Sequence, residues 1–532
     1  MRRLASATAP LPRALIAALG SVAASLVAAP ALASSGVDSP ENGVVQMGRG
    51  SAWVAKADDP LAAHYNPAGL ANQATGVHLG ASLMFASRCF TRVDPNGQPI
   101  SPGQGLPAPG TAGGPTAATC ANGFTPNPQL AFAWRITPKL ALGVAVVAPH
   151  AVGDNDFGET VSYVNSFGSK TAEPAPNRYL LASSSGIIIE PTISVAYAPI
   201  PGLSFGAGFV WGVVTADDVT FAESVSARAG QPPTDDFSTR GDARADLSVK
   251  DLFVPGFVLG VLWSPTSNVD VGGAFKYLTP VDAHGDLTLT TNYFAASGQP
   301  NSTPCATCTV NAPGAGHLHF DLPAELRIGT RFHVPRANVE GPKWSRREGH
   351  VADSMSQDLF DVEVDLTWAH NSPVQTFELR FPSGANAIPV PPGTVPANGD
   401  IIRNWRDVIG ARVGGDYVVL PNRLAVRGGG WFETKGQDDK DLQLDFDLAQ
   451  KFGLALGATL RLGPVDVSVA YQHTFIGTLD NCTTTAGKTT CDGEVHALSG
   501  DVSAGFRSRQ PVNDGSLEES MNEVALGGTL RF

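Results

Sequence analysis

Apolar and polar residues alternate with a period of two along much of this chain. In its last stretch Val524, Leu526, Gly528, Leu530 and Phe532 share one face, and Ala525, Gly527, Thr529 and Arg531 the other. Val465, Val467, Val469 and Tyr471 oppose Asp466, Ser468, Ala470 and Gln472; Val362, Val364, Leu366 and Trp368 oppose Asp361, Glu363 and Asp365. A period of two puts successive side chains on opposite faces of a β-sheet. The pattern predicts fourteen strands, near 77–86, 129–136, 139–148, 187–198, 203–214, 245–263, 269–290, 317–333, 361–371, 405–419, 423–433, 441–462, 465–476 and 523–532. The segment 441–462 keeps one apolar parity, broken only by Gln450, and outruns the ~9–11 residues that cross a bilayer.

An even number of antiparallel strands suits a bacterial outer-membrane barrel with both chain ends on the periplasmic side. Such barrels have short periplasmic turns and longer outer loops. Every second connection but one is short and carries proline: Ile136-Thr137-Pro138, Ala198 to Gly202, Ser264 to Asn268, Leu420-Pro421-Asn422 and Gly463-Pro464. The alternate connections are long, except 434–440. The stretch 334–360 breaks the rule, being long, charged and predicted periplasmic. The terminal Phe532 resembles the C-terminal signal by which outer-membrane barrels engage the barrel assembly machinery. The fold class expected is therefore an all-β transmembrane barrel of about 14 antiparallel strands over 77–532.

Composition narrows the compartment. Arg2, Arg3 and Arg13 lead into an apolar run, Ala14 to Ala29, and then Ala31-Leu32-Ala33. This reads as a signal peptide over 1–33, although a membrane anchor is the competing reading. No later stretch is apolar for ~18 residues, so no spanning helix is expected. The net charge of −13 disfavours nucleic acid as a partner. Six cysteines in an exported chain suggest disulfides, for which we take Cys89–Cys120, Cys305–Cys308 and Cys482–Cys491 among fifteen connectivities. Cys305-Ala-Thr-Cys308 also admits a redox or zinc half-site. All six lie in predicted outer loops.

Charged residues fall on the face opposite the apolar one. Arg327, Arg412, Arg427 and Lys451 are the candidate lumenal contacts for a ligand carboxylate. Glu325, Asp416 and Glu433 sit on the same faces, so salt bridging across a wet lumen is the competing role. Mid-membrane charge facing lipid costs ~2–4 kcal/mol, which favours the lumen for both.

Residues 34–76 are not strand-like and form a candidate hatch. Within them lies Tyr65-Asn66-Pro67-Ala68-Gly69-Leu70, preceded by Asp58 and Asp59. Pro67 removes a donor and pushes Asn66 out of the helical region; Asn66 can bond nearby backbone, and Gly69 permits a tight turn. A plain turn would need no more. The run nevertheless resembles, residue for residue, the hatch motif of the FadL-type outer-membrane transporters of long-chain fatty acids and other hydrophobic compounds. Pro191 to Tyr197, Leu322 to Glu325 and Trp405-Arg406-Asp407 add to the likeness. His64, where an aromatic is frequent, Phe446-Asp447 with Lys451, and the long 334–360 connection depart from it.

The resemblance implies a monomeric barrel plugged by its hatch, with Tyr65, Asn66, Pro67, Ala68 and Gly69 gating. A hydrophobic ligand, fatty acid or hydrocarbon, would be captured by the outer loops and bound beside the hatch. It would leave sideways into outer-membrane lipid past a kinked third strand. Pro149 and Gly153 are the candidate kink residues; ending the strand is their competing role. No cofactor and no metal are expected: His317 and His319 share a strand face, but no acidic residue at a convincing spacing joins them. The rival classes are a general porin, which needs no plug, an outer-membrane lipase, for which no Gly-x-Ser-x-Gly elbow exists, and an adhesin.

Overall fold

The computed structural model describes residues 43–93, 118–164, 170–222, 242–294, 300–301, 308–336, 353–390, 393–394, 398–498 and 507–532. The expected signal peptide and the first residues of the expected hatch lie outside them. Fourteen strands close into an antiparallel barrel. They are β1 (Gly76–Arg92), β2 (Ala118–Arg135), β3 (Leu140–Asp156), β4 (Ser183–Ile200), β5 (Leu203–Ala222), β6 (Ala243–Thr266), β7 in two pieces (Val269–Leu278 and Val281–Thr290), β8 in two pieces (Thr309–Phe320 and Ala324–Pro335), β9 (Asp358–His370), β10 (Val408–Leu420), β11 (Leu424–Glu433), β12 (Lys451–Leu462), β13 (Val465–Ile476) and β14 (Gly515–Arg531). Each pairs with its neighbour in sequence, and β14 returns to β1 from Gly76↔Arg531 to Arg92↔Gly515. Closure leaves no bottom edge for a barrel to protect.

The alternation has the expected cause. Leu79, Ile193, Leu366, Leu456 and Leu526 point outward and are exposed, while Thr192, Glu363, Gln472 and Glu523 point inward and are buried. An apolar outer belt around a polar interior is the arrangement that hydrocarbon demands.

Beyond the outward extensions of β1, β3, β4, β5 and β14, five predicted strands differ from the observed ones. β2 extends back to Ala118 through Pro126 and Pro128, which lie ahead of the predicted start at 129. β7 breaks at Thr279-Pro280 and β8 at Asp321-Leu322-Pro323, because proline removes a ladder donor. β7's second piece turns to pair with the outer half of β6, and β8's first piece pairs with it and with the short strand Thr376–Arg380. β10 begins at Val408 rather than 405. β12 begins at Lys451, not at 441. There the alternating Leu442 and Leu444 are buried in the outer-loop core with Phe90, Phe157 and Leu517, so their parity reflects loop packing rather than a strand. The connection 434–450 is accordingly long, and every outer connection exceeds every short periplasmic turn.

The periplasmic 334–360 connection is partly described. Its short helix α3 (Ser354–Gln357) packs Met355 against Val418 and Ala425, and Asp353 accepts from Arg461 at 2.9 Å. Disulfides join Cys89 to Cys120 and Cys482 to Cys491. The first pair sits inside β1 and β2, which run further outward than predicted. Cys308 is also disulfide-bonded, while Cys305 lies outside the described residues.

Candidate functional site

Hatch residues 43–75 fill the periplasmic half of the lumen. Short helices α1 (Val44–Gly48) and α2 (Ala62–Tyr65) and a 3-10 turn (Pro67–Asn72) carry the motif. Asn66 is extended and caps that turn: its Oδ1 accepts from Ala68 N at 3.2 Å. Its Nδ2 donates to Val54 O at 2.8 Å and to Val261 O of β6 at 3.2 Å. One side chain thus ties the motif to the rest of the hatch and to the wall. Gly206 and Gly260 face it, and a Cβ at Gly206 would strike the Pro67 backbone while one at Gly260 would strike Asn66. Gly69 is required for a reason other than a turn. Its φ is not left-handed; the Ala57 carbonyl occupies the space a side chain would take.

An ionic layer fastens the hatch to β9 and β10. Arg49 donates to Asp361 at 2.6 Å and Glu363 at 3.2 Å, and lies 3.1 Å from Asp416. Lys56 donates to Asp361 at 2.9 Å. Backbone N–H groups of Trp53 and Val54 donate to Asp365, and that of Ala55 to Glu363. These carboxylates alternate along β9 at positions 361, 363 and 365, one lumenal face of one strand. Sequence reading saw the acidic face but not its partners, because Arg49 and Asp361 are 312 positions apart. Burial, and secondarily Asp58, pushes the Asp59 carboxyl up to about 6, although Gln46 donates to it at 3.0 Å.

The expected lumenal cations are scattered and individually partnered. Arg327 donates to Glu325 at 2.9 Å and lies over the Tyr65 ring at 5.5 Å, so one candidate contact meets one hatch residue. Arg412 donates to Glu433 at 2.7 Å, Arg427 donates to Thr459 beside Asp416, and Lys451 lies 3.3 Å from Asp447. None of the four lines the large cavity.

That cavity, about 600 Å³, lies at the outer end of the barrel. The outer parts of β4 to β8 and the outer loops enclose it, with Ile188, Val214, Leu287 and Leu318 and the rings of Phe221, Phe320, Phe377, Phe381 and Phe446 on its walls. Its size and apolar lining suit a drug-sized hydrophobic molecule. Arg507 lines it and donates to the carbonyl oxygens of His496 and Asp400. Asp445, also on the wall, is held by both terminal nitrogens of Arg403. Sequence reading missed Arg507, since nothing in its own segment alternates.

The hydrogen-bond ladder is interrupted between β2 and β3. Their pairing runs from Arg135↔Ala141 to Leu130↔Val146 and stops. Beyond it, β2 pairs only with β1, and β3 only with β4. The β3–β4 register shifts between Val147 and His150, where Pro149 lies, and again between Ala151 and Gly153. Opposite, Pro126 and Pro128 occupy the free stretch of β2. Further out the strands meet again, since a Cβ at Gly123 would come within 2.8 Å of Asp154 O. The result is a window in the ladder, bounded at both ends, across which the two strands remain neighbours. Proline suits such an edge because it has no N–H to offer a neighbour.

A plugged barrel with an apolar outer chamber and an interrupted ladder is the architecture of an outer-membrane channel for hydrophobic solutes. Residues 24–339 match the model of the outer membrane protein transport protein family (OMPP1/FadL/TodX), and the chain belongs to that family of the bacterial outer membrane. Its fold is that of a Pseudomonas aeruginosa FadL homologue (15% identity, 95% of this chain and 100% of that one, TM-score 0.63). It is likewise that of the Pseudomonas putida toluene transporter TodX (14%, 93% and 99%, TM-score 0.58) and the Ralstonia pickettii toluene transporter TbuX (16%, 92% and 98%, TM-score 0.52). No curated protein matches the chain.

Proposed function

We propose that this protein carries hydrophobic molecules, long-chain fatty acids first among them, across the outer membrane without catalysis or cofactor. The outer loops capture the ligand and the 600 Å³ chamber holds it. The hatch keeps the periplasmic route shut to water, with Tyr65, Asn66, Pro67, Ala68 and Gly69 as its moving corner. The ligand leaves sideways through the β2–β3 window into outer-membrane lipid, with Pro149 and Gly153 shaping the edge. The observation that carries this reading is the missing β2–β3 pairing beyond Leu130↔Val146 in an otherwise closed wall.

Two features favour an acid. Arg507 faces the chamber, and its hydrogen bonds among the described residues go to carbonyl oxygens, so a carboxylate would gain charge-assisted bonds there. The chamber's apolar walls suit an alkyl chain. The ring-rich lining of five phenylalanines favours an aromatic hydrocarbon as the second reading, which is also what TodX and TbuX are named for. Arg327, Arg412, Arg427 and Lys451 would then guide the ligand only by exchanging their present partners. Phe532, exposed at the end of β14, is the segment we assign to the barrel assembly machinery, and a monomer suffices for every step.

The test is uptake of labelled oleate by cells lacking their own outer-membrane fatty-acid transporter, carrying the parent or an Asn66→Ala, Pro67→Ala variant at matched surface levels. Uptake by the parent and loss in the variant support the proposal. An inserted parent that admits only aromatic hydrocarbons leaves the second reading standing; one that admits only small hydrophilic solutes refutes both.

A further inference from the structure

Cross-strand pairing assembles a cluster that neither strand carries alone. In β7's second piece Asp282 and His284 are two residues apart; in β8's first piece so are His317 and His319. The register sets Asp282 opposite His319 and His284 opposite His317. Two-residue spacing keeps each pair on one face, so all four side chains converge on the outer surface of the barrel.

The geometry is that of a ligand set. One ligating atom each from Asp282, His284 and His317 lies within 4.8 Å of the other two. His317 Nε2 is 2.5 Å from Asp282 Oδ1, and His284 Nε2 is 3.7 Å from Asp282 Oδ2. His319 Nδ1 is 3.9 Å from Asp282 Oδ1. The imidazoles of His284 and His317 stack with centroids 4.4 Å apart and planes 14° apart, so both edges are presented together. Ligands at ~2.0–2.2 Å from a zinc ion stand roughly 3.3 Å from one another in a tetrahedron. Exposed side chains close that difference by rotamer adjustment alone.

The face changes character at this level. The outward residues of β7 below the break include Phe275 and Tyr277; above it they are Asp282, His284 and Asp286. The site therefore stands above the apolar belt and its aromatic fringe, in contact with water. Lys250 of β6 flanks His284, and Arg380 and Glu378 flank His317 and His319, so the surround is mixed in sign.

We propose that Asp282, His284 and His317, with His319 as a fourth donor, bind a divalent transition ion of the zinc or nickel type. Imidazole and carboxylate donors select such ions over calcium or magnesium. The ion staples β7 to β8. On the inner side of those same pieces Leu287, Leu318 and Phe320 line the chamber, so metal on the outside stiffens a wall of the ligand cavity. The acidic residue that the sequence did not place beside His317 and His319 comes from the neighbouring strand.

The experiment is calorimetric titration of zinc into the full mature chain, purified without a polyhistidine tag, folded in detergent micelles and stripped with chelator. The parent is expected to bind one ion per chain and to melt at higher temperature with zinc. His284→Ala with His317→Ala is expected to lose at least about 100-fold in affinity, and Asp282→Asn at least about tenfold. Both variants alter outward side chains, and retained heat-modifiable migration on gels confirms folding. X-ray absorption of the zinc-loaded parent should show two or three imidazole ligands. No stoichiometric binding by the parent, or binding unchanged in the folded double variant, overturns the proposal. Neither outcome depends on what the barrel transports.

Discussion

Arg49 of the hatch donates to Asp361 of β9 at 2.6 Å, and neither side chain is more than 1% exposed. Asp361 also accepts from Lys56 and Arg331, so one carboxylate holds three cations. Breaking a buried ion pair from one side costs ~3–5 kcal/mol, because the abandoned charge stays buried. Asp361→Ala is therefore expected to loosen the hatch rather than the wall. Planar-bilayer recordings should show ion conductance that the parent lacks, with barrel heat-modifiability retained. A silent variant would mean the hatch is held elsewhere.

The close approach of Gly206 and Gly260 to Pro67 and Asn66 gives a steric version of the same test. Val at either position forces the motif off the wall. Hydrogen exchange at Ala68 N and limited proteolysis of the hatch should both rise. Ala at Gly428, which faces no hatch atom, is the control.

Asp59 supplies a pH dependence. Its folded pKa of about 6 exceeds the ordinary carboxyl value, so the native state holds a proton that the unfolded chain releases. Stability contributed by this group is full below about 4, falls as pH rises towards 6, and is level above. Asp59→Asn keeps an acceptor for Leu61 N, which donates to Asp59 at 2.8 Å. Subtracting its stability curve from the parent's should isolate a decline of roughly 3 kcal/mol across that window. A flat difference would contradict the assignment.

Arg507 separates the two ligand classes. Arg507→Ala should raise the half-saturating oleate concentration by about tenfold, the worth of one charge-assisted bond, and leave toluene uptake unchanged. Equal losses for both would make Arg507 a scaffold for the Asp400 and His496 carbonyls.

Much of this architecture can be read from the chain because lipid and lumen impose a period of two on every spanning strand. The corner of the hatch motif is legible because Asn66 caps the turn that Pro67 opens, whereas the bonds of Asn66 to Val54 and Val261 and the packing of Gly69 on Ala57 lie beyond the motif. What escapes reading is long-range or ambiguous. Leu442 and Leu444 alternate while buried in loop packing, so they imitate a strand. Pro126 and Pro128 look like loop residues, yet belong to a strand with a free edge. The partners of Arg49 and Lys56, and the meeting of His284 with His317, depend on register, which no single segment encodes.

Lateral exit is the central claim, and sealing the window tests it most directly. Pro126→Thr, Pro128→Thr and Pro149→Val together restore three backbone N–H groups along the free edges of β2 and β3. Labelled-oleate uptake would be compared in cells carrying the parent or this variant at equal surface levels. The account predicts uptake reduced to the level of cells without the protein, with insertion and hatch conductance unchanged. Uptake equal to the parent's would contradict it and place the exit elsewhere.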